Sequence, residues 1–370
     1  MRYAIVGCGT GGPAAALYLH RQGHEVVLYD RVEPLRPTGA GFLLQPTGQR
    51  VLAELGLLNR VVGHSDRITR LVGTTTYGRK VIDLRYADLR PDLHGLGVSR
   101  GAIFGALHDA VRATDIPIRT GVEVAAVHEG PDGVEILGER FDRAVISDGA
   151  RSHLRPPWAR TDAYPWGALW YVAEADFPRD TLRQHFRDTR QFIGFLPSGD
   201  GKVSIFWSLR ADAVDDWRAR GLDRWKAELR ALAPDAPLDG LRDADQVVYA
   251  PYFDVRLSHW HTERVVWIGD AAHAMSPQLG QGANLALWDA WTLAQVPDFA
   301  TYSRVRRAHL RFYQFATRWL TPFFQSSMPV LAPLRDLGSP LFHAWPWYYR
   351  QMLLTLAGVK TGPFSAMPIP

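Results

Sequence analysis

The sequence has a single cysteine, Cys8, among 370 residues. That count excludes an internal disulfide framework and a cysteine-rich zinc site, and it fits a reducing, cytoplasmic setting. No run of five or more like charges occurs, and Lys plus Arg (42) exceeds Asp plus Glu (38) by only four. The chain therefore has no basic stripe of the kind that binds nucleic acid, while small anionic ligands suit its balance. No stretch reaches 18 apolar residues, so no transmembrane helix is expected. The opening Arg2-Tyr3-Ala4-Ile5-Val6-Gly7 reads as a buried strand and not as the apolar core of a signal peptide. Internal repeats and low-complexity tracts are also missing, which sets aside solenoids and long disorder.

At 370 residues the chain is too long for one ordinary core, so roughly two packed domains are expected. Aromatic residues are plentiful at 11%; most of them are expected in the core, and the surplus also suits a pocket for a flat apolar ligand. Only His259 and His261 stand close enough to suggest paired metal ligands, and no third ligand stands near them, so no metal site is expected.

The N-terminal third opens as strand (2–7), glycine turn, helix (14–19) and strand (25–30), a βαβ unit. A helix starts at Pro46 and stops at Gly56. Strands at 68–76 and 79–85 flank the hairpin signal Tyr77-Gly78. Ser99 is an N-cap for a helix carrying Ile103, Phe104, Leu107 and Val111. Three short strands are expected at 122–128, 133–137 and 141–147. From about 155 to 255 the texture changes to short alternating strands (169–176, 181–187, 190–196, 202–209, 246–254) around one charged helix near 213–231. Residues 265–269 return to a buried parallel-type strand, and a helix follows at about 282–296. The remainder to about 360 reads as helical with proline breaks.

Gly7-Cys8-Gly9-Thr10-Gly11-Gly12 fits Gly-x-Gly-x-x-Gly in the context that motif requires, after a strand and opening a helix. Gly7 allows the tight turn, Gly9 lets the backbone approach a pyrophosphate, and Gly12 permits close helix–strand packing. Asp30 ends the next strand, where a carboxylate can hold ribose hydroxyls. By itself this motif does not choose between NAD and FAD. A second constellation follows the late strand: Gly269-Asp270, His273, Pro277, Gly280-Gln281-Gly282-Ala283-Asn284 and Asp289. Asp270 stands at the sheet's C-terminal edge, either as a polyol ligand or as a helix cap, and the N–H groups of the Gly280–Asn284 turn can stabilise negative charge. A third segment, Asp148-Gly149 with Ser152 and Arg155, reads by itself as a turn after a strand.

These three motifs, in this order, resemble the single-component FAD-dependent aromatic hydroxylases, the flavoprotein monooxygenases of the para-hydroxybenzoate hydroxylase type. The resemblance covers roughly residues 1–300. Asp30 stands where a Glu is usual, and Gln278 follows Pro277 where many relatives differ. No Trp-x-Trp-x-Ile-Pro segment of the flavin halogenases is present, nor a second glycine fingerprint for a separate nicotinamide domain.

The resemblance implies a discontinuous α/β, Rossmann-like FAD-binding domain (1–67, 97–155, 256–300), an antiparallel β substrate domain (68–96, 156–255) and a helical C-terminal region (301–370). It implies FAD as cofactor, NADH or NADPH as transient reductant, O2 as co-substrate and a small aromatic substrate. The reaction would insert one oxygen atom of O2 into the ring through a flavin C4a-hydroperoxide. A flavin dehydrogenase or reductase acting on a lipid-like or polyketide ring is the alternative. The implied FAD set is Gly7, Gly9, Thr10, Gly11, Gly12, Asp30, Arg31, Gly41, Arg100 near the pyrophosphate, Val124 against adenine, Asp148, Gly149, Gly269, Asp270 on the ribityl chain, Pro277, Gly280, Gln281, Gly282, Ala283 and Asn284.

Catalytic candidates are His185 and the flavin-adjacent Pro277. Arg183, His185 and Arg187 alternate, so a strand places them on one face, which is either solvated or holds an anionic substrate. His273 is expected to be structural, and Cys8 to fill space. Residues 322–370 carry only four charged side chains and many aromatics, Phe342 among them. Packing within the chain is the expected fate of this tail, ahead of a homodimer contact or a peripheral membrane contact. The expected state is monomer or homodimer.

Overall fold

A computed structural model describes the chain apart from Pro37, Thr38 and the side chain of Phe342. Arg2–Val6 is the middle strand of a five-stranded parallel sheet, and its residues from Tyr3 onward are buried. The sheet order is Val265–Trp267, Arg143–Ile146, Arg2–Val6, Glu25–Tyr29 and Ile118–Arg119. Strands covered on both faces read as continuous apolar runs, which is why four of these five stood out in the sequence. The two-residue strand Ile118–Arg119 carries no such run and was not expected. Helix Gly11–Arg21 packs against helix Gly282–Gln295 and against helix Arg100–Arg112, where the Ser99 hydroxyl accepts from Ala102 N–H as an N-cap.

The second large unit is a seven-stranded sheet in the order Val248–Arg256, Arg160–Glu174, Lys202–Arg210, Gln191–Pro197, Thr181–Arg187, Arg70–Thr75 and Lys80–Arg85. All neighbours are antiparallel except Thr181–Arg187 beside Arg70–Thr75. The hairpin at Tyr77-Gly78 forms, with Gly78 at φ 74°. One face of this sheet packs on Val214–Arg220 and Leu222–Leu232 through Trp217, Trp225 and Leu229 against Ile193, Phe195 and Trp207. The expected single helix near 213–231 is two helices, because Gly221 adopts φ 82° between them. The paired tryptophans still share one interface, edge to face at 5.6 Å.

Three further expectations are corrected. Residues 122–127 form no strand; Val122 N–H is bonded to the Asp30 carbonyl and the Val124 carbonyl to His153, so the alternating apolar pattern buries Val124 without a partner strand. Strand Arg160–Glu174 begins nine residues earlier than expected, carried past Pro165 by a register shift between Ala163 and Gly167. A small antiparallel sheet, Phe42–Leu44, Gly95–Val98 and Ser65–Ile68, was not anticipated. It lies so close to the large sheet that a Cβ on Gly97 would meet the Pro197 carbonyl.

The tail folds back on the molecule as Phe299–Phe324, Leu331–Ala344 and Pro346–Leu356. Leu353, Leu354, Leu356, Ala357 and Val359 are buried, the first and third against Leu43, Ile68 and Tyr86. Arg335 is buried between the Phe186 and Phe324 rings. The opposite side of Leu331–Ala344 faces outward, with Leu334, Leu337 and Leu341 exposed. Pro340 lies inside that helix, so it does not break the chain there. No helix among the described residues is long and apolar enough to cross a membrane. Truncation after Thr321 removes this packing and strips cover from Leu43, Ile68 and Tyr86. The expected outcome is loss of soluble protein, checked by expression and gel filtration; a soluble, active product would show the tail to be dispensable.

Candidate active site

The parallel sheet brings four strand ends to one edge: Gly7, Asp30, the turn Ser147-Asp148-Gly149 and Gly269-Asp270. The first turn is pinned on every side but one. Gly7 N–H donates to the Tyr29 carbonyl at 2.8 Å, and the Ser147 hydroxyl donates to the Val6 and Gly7 carbonyls at 2.9 and 3.0 Å. Asp30 accepts from Cys8 N–H at 2.7 Å and Val32 N–H at 2.9 Å. Cβ atoms on Gly7 or Gly12 would collide with backbone at 2.4 and 2.0 Å, whereas a Cβ on Gly9 would meet nothing within 4 Å. The open side is therefore the side of Gly9, Thr10 and the helix N-terminus, a cradle for a pyrophosphate. Cys8 is buried, and burial followed by the Asp30 charge pushes its thiol up to about 12, so it is a space-filler and no nucleophile.

Arg155 joins the third and fourth of these strand ends. Its guanidinium donates to the carbonyls of Ser152 at 2.8 Å, Gly149 at 3.1 Å and Ala150 at 2.8 Å, and to those of Ala271 at 2.8 Å and Asp270 at 3.3 Å. The Asp-Gly turn and the Gly-Asp turn are thus one unit. Burial raises the Asp148 carboxyl, and its Oδ1 is buried without a partner among the described residues. The Asp270 carboxylate is exposed and accepts no hydrogen bond among the described residues, so it is not acting as a helix cap.

Behind Gly269 sits a buried charged cluster. Asp289 accepts from Gly269 N–H at 2.9 Å and His273 Nε2 at 2.5 Å on one oxygen, and from Arg306 Nε at 2.7 Å on the other. Arg306 also contacts His309 Nδ1, and His309 Nε2 donates to the Gly358 carbonyl at 2.8 Å. Burial alone would raise the Asp289 carboxyl; the His273 and Arg306 side chains and the hydrogen bonds hold it well below the usual carboxylate range. Burial, then Arg306, holds His309 well below the usual imidazole range, so it stays neutral with Nδ1 as acceptor. His273 is structural here, as expected. Arg306 and His309, in the less distinctive helical tail, were not singled out in the sequence.

The Gly280–Asn284 turn opens helix Gly282–Gln295, with Gly280 in the left-handed region at φ 61° and open space at its Cβ position. Asn284 bridges to the other side of the cleft, accepting from Gln45 N–H at 2.8 Å and donating to the Leu43 carbonyl at 3.1 Å. Gln281 points away and donates to the Leu356 carbonyl at 2.9 Å. Gly41 is buried with its N–H on the Ser204 hydroxyl at 2.8 Å, bringing this loop against the large sheet. Ala283 is half-buried on the same turn, Arg100 lies exposed beside Gly39, and Arg31 is exposed.

Pro277 begins a short turn that is tied to the end of helix Phe299–Phe324. Ser276 and Thr321 hydroxyls meet at 2.6 Å, Gln278 donates to Gln325 at 3.2 Å, and Gln325 donates to the Gly167 carbonyl at 2.8 Å. Next to it stands Tyr164, whose hydroxyl is buried against the Ser276 backbone and is pushed up to about 12 by burial. Strand alternation gives the large sheet an inner aromatic face of Trp170, Phe206, Phe192 and Phe186, joined by ring contacts of 5.2, 5.0 and 4.9 Å. Phe195 and Trp207 point the other way, into the core under the two helices. His185 shares that outer face: it hydrogen-bonds Thr74 at 3.0 Å, meets the Phe195 ring edge to face, and is lowered by burial. The structure does not bring His185 to the other site residues, because it lies one position out of phase with Phe186 and Gln184. Arg183 on the same face is paired with Asp235 at 2.6 Å. His259 stacks on Trp158, and His261 bonds Ser303.

The open Gly9 side, the unpartnered Asp148 oxygen, the unengaged Asp270 and the open Gly280 turn fit one dinucleotide stretched along the sheet edge. The family model of the FAD binding domain matches residues 1–297, and the chain belongs to that family. Kynurenine 3-monooxygenase of Salinispora tropica is 30% identical, over 83% of this chain and 77% of the relative. Aurachin C monooxygenase/isomerase of Stigmatella aurantiaca is 26% identical over 79% of each. The crystal structure of Klebsiella pneumoniae HpxO complexed with FAD and uric acid superposes with a TM-score of 0.80 at 22% identity, covering 99% of this chain and 98% of that one. The chain is a FAD-dependent monooxygenase with the FAD hydroxylase fold.

Replacing Asp289 by Asn leaves Arg306 buried without its carboxylate, at a cost of about 3–5 kcal/mol, or a melting temperature lower by roughly 4–6 °C for a chain of this length. Because the folded carboxyl is held low, Asp289 contributes stability above about pH 4 that is lost as pH falls further. The gap between wild type and Asp289→Asn in thermal melts should therefore narrow below about pH 4. Asp270→Ala should weaken FAD by roughly 10- to 150-fold, the worth of a charge-assisted hydrogen bond, as read by flavin retention on dilution.

Proposed function

We propose that this member of the FAD-binding family consumes NADH or NADPH and O2 to insert one oxygen atom into a small aromatic or heteroaromatic ring. The observation that carries the reading is the meeting of the sheet edge and its open glycine turns with the aromatic inner face of the seven-stranded sheet, across the Gly41–Ser204 contact. Bound FAD, once reduced, supplies the activation of O2. The chain's own share is to bind, orient and exclude water.

In this reading Gly9, Thr10, Gly11 and Gly12 take the pyrophosphate at the helix N-terminus, with Gly7 making the turn and Arg100 nearby. Asp30, with Arg31, lies toward the adenosine ribose, and Val124 packs toward adenine. Asp148, Gly149, Gly269 and Asp270 line the central part of the cofactor. Gly282 and Ala283 offer backbone N–H groups to negative charge developing on the reduced flavin, while Gly280, whose own N–H is taken by the Pro277 carbonyl, makes the turn and Gln281 and Asn284 hold it in place. Gly41 and Pro277 flank the ring. Tyr164, buried and protonated at neutral pH, has a hydroxyl proton to donate to an oxygen or nitrogen of the substrate. The division into FAD-binding (1–67, 97–155, 256–300), substrate (68–96, 156–255) and C-terminal (301–370) parts belongs to the same reading, as do a cytoplasmic setting and a monomeric or homodimeric state.

The test is a screen of phenols and heteroaromatics for substrate-stimulated NADH or NADPH oxidation, followed by turnover under ¹⁸O2. The expected result is one ¹⁸O atom in the product for each reduced nicotinamide coupled to turnover. Turnover that leaves the product free of ¹⁸O would instead identify a dehydrogenase or reductase.

A further inference from the structure

His108 lies on helix Arg100–Arg112 and is completely buried. Its Nε2 sits 2.8 Å from the carbonyl of Cys8, inside the glycine turn. A carbonyl only accepts, so Nε2 carries the proton. The other ring nitrogen, Nδ1, is buried with no partner among the described residues. The ring is stacked on Phe104 at 3.9 Å, which fixes its plane. A solvent-excluded imidazole with one nitrogen unsatisfied is costly to keep, and a leucine of similar bulk would fill the same space without that cost.

The turn shows what the hydrogen bond achieves. Cys8 N–H is held by Asp30, and Cys8 C=O is held by His108. In a planar trans peptide the N–H of the next residue points opposite to the carbonyl. Holding the Cys8 carbonyl toward the Arg100–Arg112 helix therefore turns Gly9 N–H the other way. Gly9 N–H has no partner among the described residues, and Gly9 is the residue of the turn whose surroundings are open. We infer that His108 is a positioning residue for the cofactor: by fixing the Cys8 carbonyl it aims Gly9 N–H at the pyrophosphate of FAD. The inference rests on the assignment of the Gly7–Gly12 turn to that pyrophosphate. One helix thus serves the phosphates twice, with Arg100 at its N-terminus and His108 two turns further on.

The test is titration of FAD-free full-length protein with FAD, followed by quenching of flavin fluorescence, for wild type, His108→Leu and His108→Gln. Leucine keeps the bulk and loses the donor. Glutamine places an amide N–H close to where Nε2 stands. The expected order is a Kd raised roughly 3- to 10-fold in His108→Leu, the worth of one hydrogen bond, and restored to within about twofold in His108→Gln. Melting temperatures of the FAD-free proteins separate this from a packing role, which would follow bulk rather than the donor. Should His108→Leu not fold, His108→Asn, whose amide falls short of the Cys8 carbonyl, takes its place. Equal FAD affinity in all variants, or equal weakening by leucine and glutamine, overturns the inference. Weakening by Asp270→Ala but not by His108→Leu overturns it alone, whereas weakening by neither overturns the placement of FAD on this sheet edge.

Discussion

The Asp289 carboxylate holds the late half of the site together. A buried charge is tolerated only when its lone pairs are filled, and here Gly269 N–H, His273 and Arg306 fill them. Each partner lies on a different piece of chain: the end of a sheet strand, the short helix after it, and the long helix Phe299–Phe324. Gly269 is bent at φ 58°, a conformation that a glycine adopts without strain, and Asp289 holds its N–H there. Asp270 follows immediately, so the direction of its side chain depends on a carboxylate buried behind it. The cluster reaches on through His309 to Gly358, which makes the tail a supporting part of the site.

Much of this architecture was legible because the relevant segments obey simple local rules. Parallel strands buried on both faces are unbroken apolar runs, and Arg2–Val6, Glu25–Tyr29, Arg143–Ile146 and Val265–Trp267 were all found that way. The glycine turn could be read because its spacing answers to backbone collisions that are independent of the rest of the protein. The small sheet of Phe42–Leu44, Gly95–Val98 and Ser65–Ile68 was not legible, since its strands are short and their partners lie far away in sequence. His108, Arg306 and Arg155's fivefold grip on carbonyls depend on tertiary contacts that no spacing rule encodes. His185 illustrates a different failure. Alternation correctly put it on one face with Arg183 and Arg187, but a single strand cannot say which face is covered by helices.

The large sheet is accordingly two surfaces with different duties. Its outer face is closed by Trp217, Trp225 and Leu229, and the basic residues of strand Thr181–Arg187 lie there, Arg183 matched by Asp235. Its inner face carries aromatic rings and small residues such as Gly194, over which the Phe206 ring lies so closely that any Cβ would strike it. Arg335 reaches the inner face from the tail, yet its charge is taken up by Asp336 and by the Phe186 and Phe324 rings. Flat apolar contacts dominate this surface.

Arg155 has a temporal meaning as well as a spatial one. It clasps carbonyls at Gly149–Ser152 and at Asp270–Ala271, two segments separated by the whole run of strands between them. Closing so long a loop is entropically expensive until the intervening chain has organised itself. During synthesis the clasp waits for about 120 residues more after the first of its two turns has been made. The two turns become one unit only once the strands between them are in place, so the clasp records the folding of the whole intervening segment.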